Sequence, residues 1–204
     1  MFSEAFEKIE PADVPAILDK INPLVEGIIF DAAETIIMGI DIPFYKGYRL
    51  LDIADYSSMP ASRRFVAYSA KNAVALNFTN EPIYKLNQEV PIKLTEDNIA
   101  DYVRFFFSFV RGKHGHFLIT ESIDDIHWKE DPPPAARKAI GKMIMPISVV
   151  RKEPDGSYIV QASMMFKDSL FKSDINISAS GTVHIHNEEL LIEDMPVQDD
   201  TFGQ

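Results

Sequence analysis

An α+β fold is predicted by three features of this chain: one strongly aromatic helical stretch near its middle, a closing third made of alternating strands, and helical spacing at its start. The middle stretch, Leu94 to Phe117, reads LTEDNIADYVRFFFSFVRGKHGHF. Ile99, Tyr102, Val103, Phe106 and Val110 recur on one helical face. Phe105, Phe107 and Phe109 widen that face, so the helix has to be covered on most sides by a sheet, by other helices or by a second subunit. Thr95 is suited to cap its start, and Glu96 and Asp97 complement the positive end of the helix dipole. Arg111 and Lys113 sit at the other end, where Gly112 or Gly115 supplies a left-handed stop.

In the closing third, 147–151, 158–166, 170–178 and 182–187 read as four antiparallel strands. Pro154-Asp155-Gly156 and Ser180-Gly181 supply the turn chemistry. Tyr158, Val160, Ala162, Met164 and Phe166 share one face. In the next strand Phe171, Ile175 and Ile177 oppose Lys172, Asp174 and Asn176, as in a sheet with one dry and one wet side. Between the central helix and these strands, 116–122 reads as a strand and 135–144 as a helix introduced by Pro132-Pro133-Pro134.

The first half is mixed. Val14, Ile17, Leu18 and Ile21 have helical spacing from about Pro11. Asn22-Pro23 then resembles a helix start, with Val25, Ile28, Ile29, Ala32, Ile36 and Ile37 following to about Met38. From Tyr45 the runs YRLLDIADYS, RRFVAYSA and NAVALNF are strand-like, with a hairpin connection at 69–72. The stretch from Asn80 to Asn87 carries Pro82 and reads as extended, an edge strand or ordered loop. The expected organisation is 1–94 as N-terminal helices plus short strands, either elaborating the same core or forming a second lobe. Next comes 95–194 as a helix–strand–helix–four-strand unit, and then 195–204 as an acidic tail. From Thr95 onward that order resembles the cystatin and nuclear-transport-factor-2 (NTF2) type of fold, which implies a curved antiparallel sheet packed on a long aromatic helix. The resemblance is one of topology.

Composition narrows the function classes. The chain has 204 residues, 46% hydrophobic and 25% charged, with a formal net charge of −11. Nucleic-acid binding needs cations that displace counterions, so such a role is not expected. With no cysteine there is no disulfide framework, thiolate metal site or cysteine nucleophile. No apolar run is long enough to span a bilayer, and MFSEAFEKIEPADVP is not a signal peptide, so a cytoplasmic protein without a membrane role is expected. Six acids and no Lys or Arg lie between Asn187 and Gln204: Glu188, Glu189, Glu193, Asp194, Asp199 and Asp200. The simpler reading is a solvated, partly frayed terminus; the functional one is an acidic surface for a basic protein partner.

Signatures for phosphate loops, dinucleotide turns, nucleophile elbows and zincin helices are absent. No cofactor is expected. The pairs His114-x-His116 and His184-x-His186 would each put two imidazoles on one strand face, and on neighbouring strands they would form a four-nitrogen metal site. Exposed histidines on a wet face are the simpler alternative. Glu121, Asp124 and His127 cluster near the lone Trp128, and with Tyr102 they are the candidates for acid–base chemistry. Asn80 and Tyr84 could line a pocket. Arg104 and Arg111, with Lys113, could hold an anion at the helix end, and Trp128 could stack a ligand, although it fits a packing anchor better. Two functions remain: a non-catalytic binding module using an acidic surface or a cup between helix and sheet, or a small-molecule enzyme with a pocket in that cup. A homodimer joined through the Phe-rich face is a third arrangement.

Overall fold

The computed structural model describes residues 5–57 and 59–198, and the chain divides into two compact units, one up to Lys93 and one from Leu94. Among the described residues there are four α-helices and two five-stranded antiparallel sheets, an α+β architecture. No helix of the described residues is long and apolar enough to cross a membrane.

The first unit is a meander in the order β1-β2-β3-β4-β5 with two helices. Its elements are β1 (Glu7–Lys8), α1 (Val14–Ile21), β2 (Thr35–Asp41), β3 (Arg49–Asp55), β4 (Ser62–Tyr68), β5 (Ala73–Leu76) and α2 (Glu81–Glu89). The expected first helix is present, and Val14, Ile17, Leu18 and Ile21 bury its apolar face in a cluster with Ile37, Leu51, Ile53 and Val66. The three expected strand runs after Tyr45 are β3, β4 and β5, and Ser69 N donates to Asn72 O across the hairpin turn at 2.8 Å.

Two expectations for this unit are overturned. The helix expected from Asn22 to Met38 is a single 3-10 turn, Asn22–Leu24, followed by a loop and β2. Asn22 does not cap a helix there. Its side chain donates to Phe30 O at 3.0 Å and accepts from Phe30 N at 2.9 Å, clamping the loop. Gly27, at φ +75°, turns the chain where a helix would have to continue. Ile36 and Ile37 then part to opposite faces, 39% and 1% exposed, which is strand periodicity. Conversely, the extended stretch expected at Asn80–Asn87 is α2. Pro82 sits in its first turn, where a missing amide hydrogen costs nothing, and Ile83 and Leu86 are fully buried one turn apart.

The second unit contains α3 (Ile99–Phe109), β6 (Phe117–Ile119), α4 (Pro134–Gly141), β7 (Ser148–Lys152), β8 (Tyr158–Phe166), β9 (Ser169–Ile177) and β10 (Val183–Ile192). The four expected closing strands are β7 to β10, paired as a meander, while β6 joins the same side of β8 beyond β7. The sheet is open, with β10 at one end. The central helix starts one turn later than Thr95 predicts. Thr95 to Asn98 form a turn in which Thr95 N donates to the Asn98 side chain at 2.8 Å. It also ends sooner, because Val110 is extended, and the two glycines shape the following turn instead, with Gly112 N donating to Gly115 O at 2.7 Å.

The Phe-rich helix is covered within one chain: Tyr102, Val103 and Phe105 are 0% exposed, and Phe106, Phe107 and Phe109 at most 6%. Each buried ring is worth about 1.5–3 kcal/mol over an exposed one, so no second subunit is needed to shield them. The other face of the β8–β9 hairpin carries a second cluster, in which Met165 and Leu170 pack with Ile126, Ile144, Met195 and Val197. The expected tail therefore begins with docked residues: Lys129 N donates to Pro196 O and Gln198 N to His127 O, and Met195 and Val197 are buried. Its last six positions, 199–204, lie outside the described residues.

Candidate functional site

The acid–base candidates are engaged in holding the second unit together. Tyr102 is buried, and its hydroxyl donates to Gly181 O, tying α3 to the β9–β10 turn. Glu121 accepts two hydrogen bonds from Arg104, at 2.7 and 2.9 Å, and a long one from Ile147 N at 3.4 Å. The Arg104 guanidinium holds the Glu121 carboxyl below the ordinary glutamate range, outweighing the desolvation that pushes it up. Arg104 also bonds Asp101 at 2.8 Å, so it is neutralised by two carboxylates and offers no anion site. Asp124 is exposed and pairs with Arg137. His127 is exposed beside a recess of about 20 Å³ that His116 also lines, with room for roughly one water. Trp128 is half-buried in the Met165 cluster with its Nε1 enclosed, a packing anchor.

The remaining candidates are dispersed. Asn80 is the exposed residue before α2 and Tyr84 is half-buried within it, so both lie in the first unit. Arg104, Arg111 and Trp128 lie in the second. Arg111 follows the helix and is half-buried, while Lys113 is exposed in the glycine turn. The histidine pairs do not meet. His114 and His116 belong to the turn before β6, and His116 bonds Phe107 O; His184 and His186 are exposed on β10, with β9 and β8 between them and β6. Among the described residues no group of three or more His, Cys, Asp or Glu is placed to hold a metal ion.

A different site stands out on the wet face of the closing sheet, a concavity of about 430 Å³. Its rim and floor carry Arg151, Glu153, Gln161, Asp174, Asn176 and His186, with Val150 and Ile159 as apolar ground. Pairing explains the convergence. Ile159 is opposite both Arg151 and Asn176, and Gln161 is opposite Asp174, so these side chains stand in adjacent rows on one face. Gln161 Nε2 donates to Asp174 Oδ1 at 2.8 Å, and Arg151 pairs with Glu153. Both flanks are irregular. The register shifts between Val149 and Arg151 in β7 and between Ile185 and Asn187 in β10, leaving Val150 and His186 as the bulged residues. A bulge bends its strand and re-aims a side chain, and here both bulged residues line the concavity.

Beyond it, β10 forms the exposed end of the sheet. His184, His186, Asn187, Glu188, Glu189 and Leu190 are all exposed. From Ser173 to Gln198 the chain carries five acids (Asp174, Glu188, Glu189, Glu193 and Asp194) and no Lys or Arg. The wet face of β9 was legible as Lys172, Asp174 and Asn176. Arg151 and Gln161 were missed because only the register and the bulges bring them to the same rows. No family model, curated protein or solved structure matches this chain.

Proposed function

We propose that the protein is a non-catalytic interaction module whose acidic sheet edge, β10, receives a basic extended segment of a partner protein. The observation that carries this reading is the combination on one terminal strand of ten residues, exposed side chains from His186 to Leu190, and a surrounding sequence with five acids and no cation. An edge strand presents backbone donors and acceptors to any extended chain. Like charge blocks pairing with a second copy of the same edge, whereas a segment rich in Lys and Arg is drawn to it.

The α+β arrangement supports a likeness to the cystatin and NTF2 type of topology in the second unit, with the helix–strand–helix–meander order kept. We place the protein in the cytoplasm on its lack of cysteine. The enzyme alternative draws less from the geometry, because Tyr102, Glu121 and Asp124 are each engaged by Gly181, Arg104 and Arg137. The cup is also filled, with Tyr102, Phe105, Tyr158, Val160 and Met164 at most 1% exposed.

Fluorescence anisotropy with a labelled peptide alternating Lys or Arg with Val or Thr tests the reading. The Glu188→Lys, Glu189→Lys double variant should weaken binding at least about tenfold, and added salt should weaken binding to the wild type. Equal affinity for both proteins, or for a peptide with the charges inverted, refutes it.

A further inference from the structure

We propose that the wet-face concavity between the two bulges is a binding site for a small organic cation, an alkylammonium or guanidinium group. The inference does not rest on the edge-strand reading, since it concerns the sheet face and not the strand's outer edge.

The first support is shape. A volume of about 430 Å³ falls in the range of small-molecule sites. It is created by two independent interruptions of pairing, at Val150 and at His186, on opposite flanks of the β8–β9 pair. One bulge is a common local event; two that turn their extra residues into the same concavity make a built feature of the sheet.

The second support is the balance of donors and acceptors. The one fixed cation in the lining, Arg151, is already paired with Glu153, so the two charges offset each other. That leaves the Asp174 carboxylate as the uncompensated charge. Its Oδ1 accepts from Gln161 Nε2, and its Oδ2 accepts no hydrogen bond among the described residues. Gln161 gives one of its two amide hydrogens to Asp174, and its Oε1 remains available as an acceptor. The Asn176 side-chain amide, in the neighbouring row, can add another acceptor oxygen alongside its own donors. A fixed carboxylate flanked by amide oxygens is complementary to an N–H-rich cation, while Ile159 and Val150 offer apolar ground for its methylene stem. An anionic ligand would meet Asp174 with no unpaired Lys or Arg among the lining residues to offset it.

A cation of this kind comes either as a free amine or guanidine, or as a Lys or Arg side chain of another protein. NMR titration of the full chain with agmatine, with butylamine, with butyrate, and with an arginine-bearing extended peptide separates the sources. The signals to follow are the side-chain amides of Gln161 and Asn176 and the ring of His186. Shifts with agmatine or butylamine that are absent with butyrate, and that weaken at least about tenfold in Asp174→Asn, support the site with a free ligand. The same shifts with the peptide alone support it with a side chain as ligand. Asp174→Asn keeps the shape and can still accept from Gln161, and an unchanged unfolding curve for this variant ties the loss to charge. The Glu188→Gln, Glu189→Gln variant should keep the agmatine response while losing peptide affinity if the edge-strand reading also holds. Wild-type shifts absent with every cation, equal with butyrate, or unchanged in Asp174→Asn overturn the proposal.

Discussion

Replacing Glu121 by glutamine tests whether this carboxylate is a clamp or a reserve of catalytic acid. In the wild type it receives two charge-assisted hydrogen bonds from Arg104, at 2.7 and 2.9 Å, with side-chain exposures of 26% for Arg104 and 27% for Glu121. Hydrogen bonds to charged groups contribute about 1.5–3 kcal/mol, whereas exposed ion pairs contribute about 0–1 kcal/mol. A pair about three-quarters shielded, whose glutamine replacement keeps one acceptor, falls between, at about 1–2 kcal/mol for Glu121→Gln. For a chain of this size that lowers Tm by roughly 2–8 °C. Urea unfolding followed by fluorescence reads the relevant unit directly, because the lone tryptophan, Trp128, lies in it.

The loss must also depend on pH with a definite sign. Arg104 lowers the folded-state pKa of Glu121 below its unfolded value, so the stabilisation is fully present above about pH 4.3. It is lost as pH falls through the folded value, where the wild-type carboxyl is protonated and resembles the amide. The wild type and Glu121→Gln should therefore differ at pH 7 and converge as the pH falls through the lowered folded-state value of Glu121. Equal urea midpoints at pH 7, or a gap of the same size in acid, would refute this account of the clamp.

Three further substitutions probe the packing. Phe109→Ala removes a ring that is 2% exposed and in tilted contact with Phe105, ring centroids 5.2 Å apart, and should cost about 3–5 kcal/mol in urea unfolding; a cost below about 1 kcal/mol would mean that the helix is not shielded as described. Tyr102→Phe strands the Gly181 carbonyl and should cost about 1–3 kcal/mol, with faster amide exchange confined to the β9–β10 turn. At Gly39 a methyl would lie 3.0 Å from Leu51 Cδ2 and 3.2 Å from Arg49 Cζ. Overpacking of about 1–3 kcal/mol exceeds the roughly 0.5–1 kcal/mol that alanine saves in backbone entropy. Gly39→Ala should thus destabilise the first sheet, read as faster hydrogen exchange in β2 and β3, and a stabilised variant would contradict the register.

Side-chain periodicity carried far along this chain. The spacing of Val14, Ile17, Leu18 and Ile21 marked α1, that of Ile99, Tyr102, Val103 and Phe106 marked α3, and alternation with turn residues marked β7 to β10. These are local signals, because burial of one face forces the pattern into the residues themselves. The same logic misled at Val25 to Ile37, where helical spacing arose by coincidence and Gly27 and the Asn22 clamp on Phe30 decided the backbone. At Asn80 to Asn87 a proline that suits a helix's first turn as well as an edge strand left the local signal divided, and the burial of Ile83 and Leu86 chose the helix. By itself, then, the sequence determined the α+β class, the shielded aromatic helix and the acidic character of the closing strand. Only tertiary structure decided which polar residues meet: Arg104 found Glu121 across 17 positions, and the row joining Arg151 to Asn176 depends on strand register and two bulges. Register follows from the hydrophobic pattern and the turn geometry together, and a bulge shifts it by one residue with no mark in the local alternation, so reading one strand's residues does not give the rows.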